Sequence, residues 1–542
     1  MVAEFDAKCR DEPVLRLEVP STLKMYSPSN RERNYGYKFI EAIYNSLDVD
    51  GFIEHYVASS GYRGEVPLAA VFKFLVLTRV LAPDSKRGNC QMKDEFYGMC
   101  CDFSLQDVYR ALDLFADMSL DFQRWLSEGV ERIVGRDMSY AFYDVTNYYF
   151  EIDFPDDGDG YRMRGVSKEH RVDPIVQMGL FLDEHGLPAC MSLFPGNTSD
   201  CLTLHPVMDE VRKTYELKRL VVVADKGLNS SKNIDMICNN GDGYVVSQVL
   251  RGKKGNRYHE ALFSDEGYVQ NADGSCRYKL FTEEYTGKDS EGHSISRQRK
   301  VLIYWSRADA EMARRKRIEK LLRAESATKN SAYSIRHGCL EYTKEEIVSG
   351  SDGKVVKGAR KKLKVDEEKA YEDSRFDGYF CIVTSEMDYD AAKMREVYGG
   401  LWRIEQSFRV MKSDLDARPV YVSTQRHIHA HFLICFTALL LVRMLQLRMG
   451  GDAISIERIA AALRAANCRV LRGGIMHLTD VGGSLEFKKR IDRHGKEVDT
   501  LSFSDKDEIA VDYSKIQKTF NVDFYDAYPK QEEFNRFLKK IK

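Results

Sequence analysis

A chain of 542 residues with 43% hydrophobic and 30% charged side chains is too long for one compact core and too apolar for wholesale disorder, so three or four structural units are expected. The formal charge of -2 hides segregation: cations gather at RQRK (297 to 300), RRKR (314 to 317) and KGARKKLK (357 to 364), patches that suit a polyanion or a solvated surface equally. Twelve scattered cysteines, with no C-x-x-C, argue for free thiols in a reducing compartment and against a zinc site or a disulfide framework.

The N-terminus, MVAEFDAKCRDEP, lacks the basic and apolar regions of a secretory signal, and the protein is read as soluble and cytoplasmic, with no membrane partner. Residues 35 to 135 show helical spacing of apolar side chains. FIEAIYNSL comes first, then PLAAVFKFLVLTRVLA with Pro67 at a first helical position, then SLQDVYRALDLFA with Ser104 as N-cap. This predicts an N-terminal helical domain over 1–135, which either binds DNA ends or simply packs.

At residue 139 the period changes. SYAFYDVTNYYFE reads as a strand, IVQMGLFLDEHGLPACMSLF (175 to 194) as two strands joined at DEHG, and 202 to 216 as a helix. RLVVVADKG (219 to 227) is a short apolar run ending in an acid, the pattern of a buried central strand, and YVVSQ (244 to 248) closes the segment 136–250. Residues 251–375 contain short strands such as YKLFTEEY and KVLIYWS and a charged helix from 309 to 323, and read as a β-rich insertion. A core-like strand, GYFCIVTS, resumes at 378 within 376–450. FLICFTALLLV (432 to 442) is a buried helix, too short before Arg443 to span a bilayer, and HIHAH (427 to 431) is its polar start rather than a metal site. Residues 451–542 give no clear pattern.

Between those strands and that buried helix lies YGGLWRIEQSFRVMKSDLDAR (398 to 418). On one continuous helix, at about 100° per residue, Tyr398, Glu405, Arg409 and Lys412 share a narrow sector beside the apolar stripe of Ile404, Phe408 and Met411, while Arg403 points away. Alone this is either a solvated face with an ion pair or a working surface. Asp144 inside the first strand and Asp225 at the end of VVVAD supply two further acids, one expensive to bury unpaired, the other at a carboxyl edge where α/β sites are built. Each has a plain alternative, solvent exposure on an edge strand for Asp144 and helix capping for Asp225. Three oxygen donors without His or Cys suit Mg²⁺ or Mn²⁺, two of which support in-line phosphoryl transfer. Tyr398, Arg409 and Lys412 would then contact phosphates. An acid pair also fits a glycosidase, but that leaves the basic face around Glu405 unexplained.

YDVTNYYFE, VVVADKG and the Tyr398 to Lys412 stretch, with Tyr seven residues before Glu405 and Lys seven after, resemble the bacterial insertion-sequence DDE transposases that carry a Tyr-Arg-Glu-Lys signature. PGNTSD is similar to the family's pattern as well, and the resemblance covers about 139 to 443. It implies an α/β ribonuclease-H-like catalytic core interrupted by a β-rich insertion. Asp144, Asp225 and Glu405 would be the catalytic metal ligands, with Mg²⁺ or Mn²⁺, two ions, as cofactor. Double-stranded DNA at transposon ends and target would be the partner, and a homodimer the acting form. Cleavage and strand transfer are the implied reaction; a nuclease without strand transfer and a retained DNA-binding repressor are the alternatives. Some relatives hold a flipped base on an insertion-domain Trp, which makes Trp305 the candidate here and Trp402 the second; the alternative for both is a core position. The signature's Arg is replaced by Leu401, and Arg409 is the expected substitute.

Overall fold

The computed structural model describes residues 31–136, 138–158, 160–169, 171–215, 219–252, 255–329, 341–348, 360–471, 473–479, 481, 485–491, 497–503 and 508–542. The N-terminal MVAEFDAKCRDEP and the basic loop at 357 lie outside them. In chain order the strands of the central sheet and its flanks are β1 (Arg33–Asn34), β2 (Tyr140–Tyr149), β3 (Ile175–Leu182), β4 (Pro188–Pro195), β5 (Val221–Ala224), β6 (Gly243–Ser247), β7 (Val269–Gln270), β8 (Cys276–Lys288) and β9 (Ser294–Ser306). They continue with β10 (Thr343–Val348), β11 (Arg360–Val365), β12 (Tyr379–Thr384), β13 (Asn467–Val470) and β14 (Met476–Leu478). The chain divides into two compact units, one taking the described residues of 1–137, 146–198 and 405–542, the other those of 138–145 and 199–404.

In the first unit the expected N-terminal helices form over Tyr37–Ser46, Val49–Ser60, Leu68–Leu81, Lys86–Gln91, Leu105–Asp117 and Ser119–Val134. Ser104 does cap its helix: its hydroxyl accepts from the Asp107 N–H while the Asp107 carboxylate accepts from the Ser104 N–H, a reciprocal capping box. Pro67 stands one position earlier than expected, as the residue before Leu68. The helix Gln425–Met449 is the unit's apolar centre, buried from Ala430 through Val442.

That helix corrects the sequence reading, because it does not stop at Arg443. The guanidinium of Arg443 donates to Gln406 Oε1 at 3.2 Å, Gln446 Oε1 at 2.9 Å and Ser407 Oγ at 3.1 Å, so the charge is accommodated and the helix runs on. Length and composition alone would let it cross a membrane, but 89% of its most apolar window is buried inside the protein, as in a core helix. The C-terminal residues, unreadable in the sequence, also join this unit. β13 pairs with β1 and β14, and the helices Glu508–Thr519 and Gln531–Leu538 bring Tyr513 and Phe534 edge-on to Phe39 and Tyr35 at 5.9 and 5.1 Å.

The second unit is built on a mixed sheet of order β2-β5-β6-β12-β9-β8-β7. β2, β5 and β6 are parallel, and β12 runs antiparallel to β6 and to β9. β5 is three valines and an alanine, wholly buried, as a central parallel strand covered on both faces must be. β2 continues into the first unit, where the strand order is β4-β3-β2. A mixed α/β sheet of this kind fits a ribonuclease-H-like core. Within residues 251–375, β8 and β9 pair along thirteen residues each, and β9 pairs with β12 from Tyr379 opposite Trp305 to Thr384 opposite Lys300, so these two long strands extend the sheet itself. The helix Arg307–Lys329 and the hairpin of β10 and β11 follow.

Candidate active site and metal-binding acids

Asp225 is the first residue after β5 and is exposed at the carboxyl end of the parallel strands. Its Oδ1 accepts from the Ser247 hydroxyl at 2.8 Å and from the Tyr398 hydroxyl at 3.3 Å, while Oδ2 has no hydrogen-bond partner among the described residues. One oxygen is therefore oriented and the other is open to a ligand. Ser247 was not singled out by sequence reasoning; its only signal was its position at the end of YVVSQ, the strand next to VVVAD. Replacing Ser247 with Ala is expected to lower divalent-ion affinity by about 10- to 100-fold, as loss of an orienting partner does. Isothermal titration with Mn²⁺ reads this directly, and unchanged affinity would remove Ser247 from the site.

Asp144 lies half-buried in β2. The parallel register pairs Tyr140, Ala141 and Phe142 of β2 with Val221, Val222 and Val223 of β5, and carrying it two residues further sets Asp144 beside Asp225. A cleft of about 350 Å³ opens next to Asp225, with Ser247, Arg251, Phe376, Tyr379 and Tyr398 among its walls.

The single helix expected from Tyr398 to Lys412 does not form. One helix ends at Gly399 and another begins at Trp402. Between them the backbone tightens: Leu401 N–H bonds to Tyr398 O, Arg403 N–H to Gly400 O and Ile404 N–H to Leu401 O, all three residues back. Gly400 packs so closely on Phe142 that a Cβ there would stand 2.3 Å from the ring. Tyr398 is thus set by the first helix, which brings it to Asp225, and not by the phase of the second.

Glu405, Arg409 and Lys412 share the second helix, Trp402–Ser413, and belong to the first unit. Glu405 and Arg409 are exposed, and Arg409 has no side-chain hydrogen bond or ion pair among the described residues. Lys412 is more enclosed: its ammonium donates to Thr146 Oγ1 at 2.8 Å and lies 3.6 Å from Glu169, which also pairs with Arg418. Leu401, in place of the expected Arg, is buried. Arg403 is half-buried, with its guanidinium 5.7 Å from the centre of the Phe142 ring.

Trp305 is half-buried in β9, its indole N–H bonded to Asp377 O at 3.1 Å and Arg277 5.7 Å from its ring centre. Trp402 is the more open of the two tryptophans, 56% exposed. In HIHAH, His431 is buried with Nε2 against Ala417 O at 3.1 Å, and burial pushes its pKa well down, so it is a neutral core imidazole. His427 stacks on Tyr109.

Among the described residues no three His, Cys, Asp or Glu side chains gather into a closed metal cage. The donors offered by Asp144 and Asp225 are carboxylate oxygens alone, the chemistry of hard divalent ions that keep part of their water shell. The open Oδ2 of Asp225 fits that demand.

Residues 157–441, just over half of the chain, match the family model described as the transposase DDE domain. The chain belongs to this transposase family. No curated protein matches it. Asp225, Trp305, Tyr398, Glu405, Arg409 and Lys412 fall inside the matched span, which begins after Asp144. Transposases of this family act on DNA and typically use divalent metal ions, and the mixed sheet with an acid at its parallel carboxyl edge agrees with that membership.

Proposed function

We propose that this chain is a DNA transposase that cleaves at the inverted-repeat ends of its own element and joins the freed 3′-hydroxyls to target DNA, working as a homodimer. Asp144, Asp225 and Glu405 would hold two divalent ions, Mg²⁺ or Mn²⁺. The observation that carries the reading is Asp225: an exposed carboxylate at the end of a buried parallel strand, with one oxygen fixed by two hydroxyls and the other open, in a chain of the transposase DDE family.

When bound, such ions supply Lewis acidity for an in-line displacement at phosphorus. Ser247 and Tyr398 keep the Asp225 carboxylate in one rotamer, and the Tyr398 ring forms part of the wall beside it. Arg409, exposed and unpartnered among the described residues, is suited to a backbone phosphate, with Lys412 as a second cation on the same helix. Trp305 and Tyr398 are the aromatic candidates for contact with the DNA. The deciding experiment incubates the protein and Mg²⁺ with a plasmid carrying the repeats that flank its gene. Joined 3′ ends support transposition; nicks without joining support the nuclease alternative. DNA binding with neither product would leave the repressor reading.

The substitute for the missing signature Arg has its own test. Arg409→Ala is expected to weaken duplex binding and reduce the slope of log K against log salt by about 0.9, the value for one phosphate contact. Arg403→Ala, which loses packing against Phe142, should lower the urea midpoint and leave that slope alone. The reverse pattern would exclude Arg409.

A further inference from the structure

Of the two basic clusters whose side chains are described, one is consumed by the fold. In RQRK, Arg297 donates to Asn239 Oδ1, the buried Arg299 donates to Glu283 at 2.6 Å, and Lys300 donates to Tyr389 O at 2.8 Å. RRKR behaves differently. Arg317 pairs with Asp377, but Arg314, Arg315 and Lys316 are exposed and have no side-chain hydrogen bond or ion pair among the described residues; further along the helix the same holds for Arg323.

The helix Arg307–Lys329 also has a fixed relation to the cleft beside Asp225, because Asp309 and Ala313 line that cleft. Positions 309, 313, 316, 320 and 323 repeat at four and three residues, so they form one stripe along the helix. From the cleft outwards that stripe reads Asp, Ala, Lys316, Lys320, Arg323. Among the described residues Lys320 is held by a surface pair to Glu341 at 2.6 Å, both partners about half exposed, the kind of contact worth little against a polyanion. Lys316 to Arg323 spans roughly 10 Å at 1.5 Å per residue, which matches about three nucleotides at ~3.4 Å per strand.

We propose that Lys316, Lys320 and Arg323 form a phosphate track that holds the backbone of duplex DNA leading away from the cleft at Asp225. This rests on the reading of that cleft as the place of phosphoryl transfer. The partner is duplex DNA because the stripe is cationic, is without a side-chain partner among the described residues at two of its three positions, and starts at a cleft wall. The exposed Ile318 and Leu322 lie on a different flank of the helix.

The test is fluorescence anisotropy of the full chain with a labelled duplex of arbitrary sequence, about 40 base pairs, between about 50 and 200 mM KCl. The triple variant Lys316→Ala, Lys320→Ala, Arg323→Ala is expected to flatten the log K against log salt slope by about 2.7, the sum for three phosphate contacts. Lys316→Arg with Lys320→Arg should restore the slope, and an unchanged urea midpoint shows that the variants fold. An unchanged slope in the triple variant overturns the track, as does a loss of self-association with the slope intact, which would make this face a contact between copies. Absence of duplex binding by the unaltered chain also overturns it. A track-dependent slope in a chain that never cleaves DNA would instead refute the assignment of Asp225 and leave the track standing.

Discussion

Asp225→Asn is expected to lower Mg²⁺-dependent DNA cleavage by at least about a thousandfold while leaving fold and duplex affinity in place. The substitution keeps the side-chain shape, and an amide oxygen can still accept from Ser247 and Tyr398, which fix Oδ1 at 2.8 and 3.3 Å. It removes the negative charge and turns the open Oδ2 into an NH₂ group that repels a cation. Lewis-acid stabilisation at phosphorus is worth several kcal/mol, and each ~1.4 kcal/mol is a factor of ten in rate, so three decades is a modest expectation. Because the residue is exposed after the end of β5, no core contact is lost and the urea midpoint should move little. Cleavage within tenfold of the unaltered chain would sink the role of Asp225; a collapse of the urea midpoint would reassign it to structure.

The same geometry explains what was readable beforehand. The placement of Asp225 at the end of a buried strand was legible because VVVAD is a short apolar run ending in one acid, and β5 is buried throughout. The hairpin of β3 and β4 was readable for the same reason, as alternating and continuous apolar strands meet at the DEHG turn. The break at Gly399 and Gly400 had a local signal, a Gly-Gly pair inside a helical pattern, that a helix wheel does not weigh. The close approach of Gly400 to Phe142, a residue on β2 far away in sequence, adds a requirement for glycine that no helix wheel contains. The face assigned to Tyr398, Glu405, Arg409 and Lys412 therefore came from the wrong premise, a continuous helix, although Tyr398 does reach Asp225 by its own route.

Arg443 misled in the opposite direction. A lone cation in an apolar run resembles a terminator, yet the helix passes it, with the guanidinium bonded to oxygens of Gln406, Ser407 and Gln446. The C-terminal residues were opaque because their order depends on partners at the far end of the chain, with Tyr513 bonded to Tyr35 and Phe534 edge-on to the same ring. Within 251–375 the strands were recognised, but strand propensity carries no information about which strand is the neighbour, and β9 pairs with β12 by register alone.

The largest expected loss of stability lies in the DEHG turn. Asp183 and Arg136 face each other at 3.2 Å with side chains 0% and 2% exposed, so neither charge has access to water. Asp183 Oδ1 accepts from the Leu187 N–H at 2.8 Å, closing the turn, while Arg136 reaches Pro188 O at 2.9 Å on β4. Asp183→Ala strands a guanidinium in the core and is expected to cost about 3–5 kcal/mol, read as a shift in the urea midpoint. Replacing both residues with apolar side chains of similar volume should cost less than the single change, because no unpaired charge is left behind. Burial pushes the Asp183 carboxyl up from its ordinary value, with Arg136 opposing the shift. The folded state then holds this proton more tightly than the unfolded chain, for which the carboxyl pKa is about 3.9. The stability contributed by this group is complete below that value and declines as pH rises through the raised folded value. Asp183→Asn keeps the acceptor for Leu187 and abolishes that pH term, so its stability profile should lose the slope that the unaltered chain shows across the window. Equal slopes in both proteins would mean that the pair titrates as it would in water, and a midpoint shift below about 1 kcal/mol for Asp183→Ala would show that solvent reaches the freed Arg136.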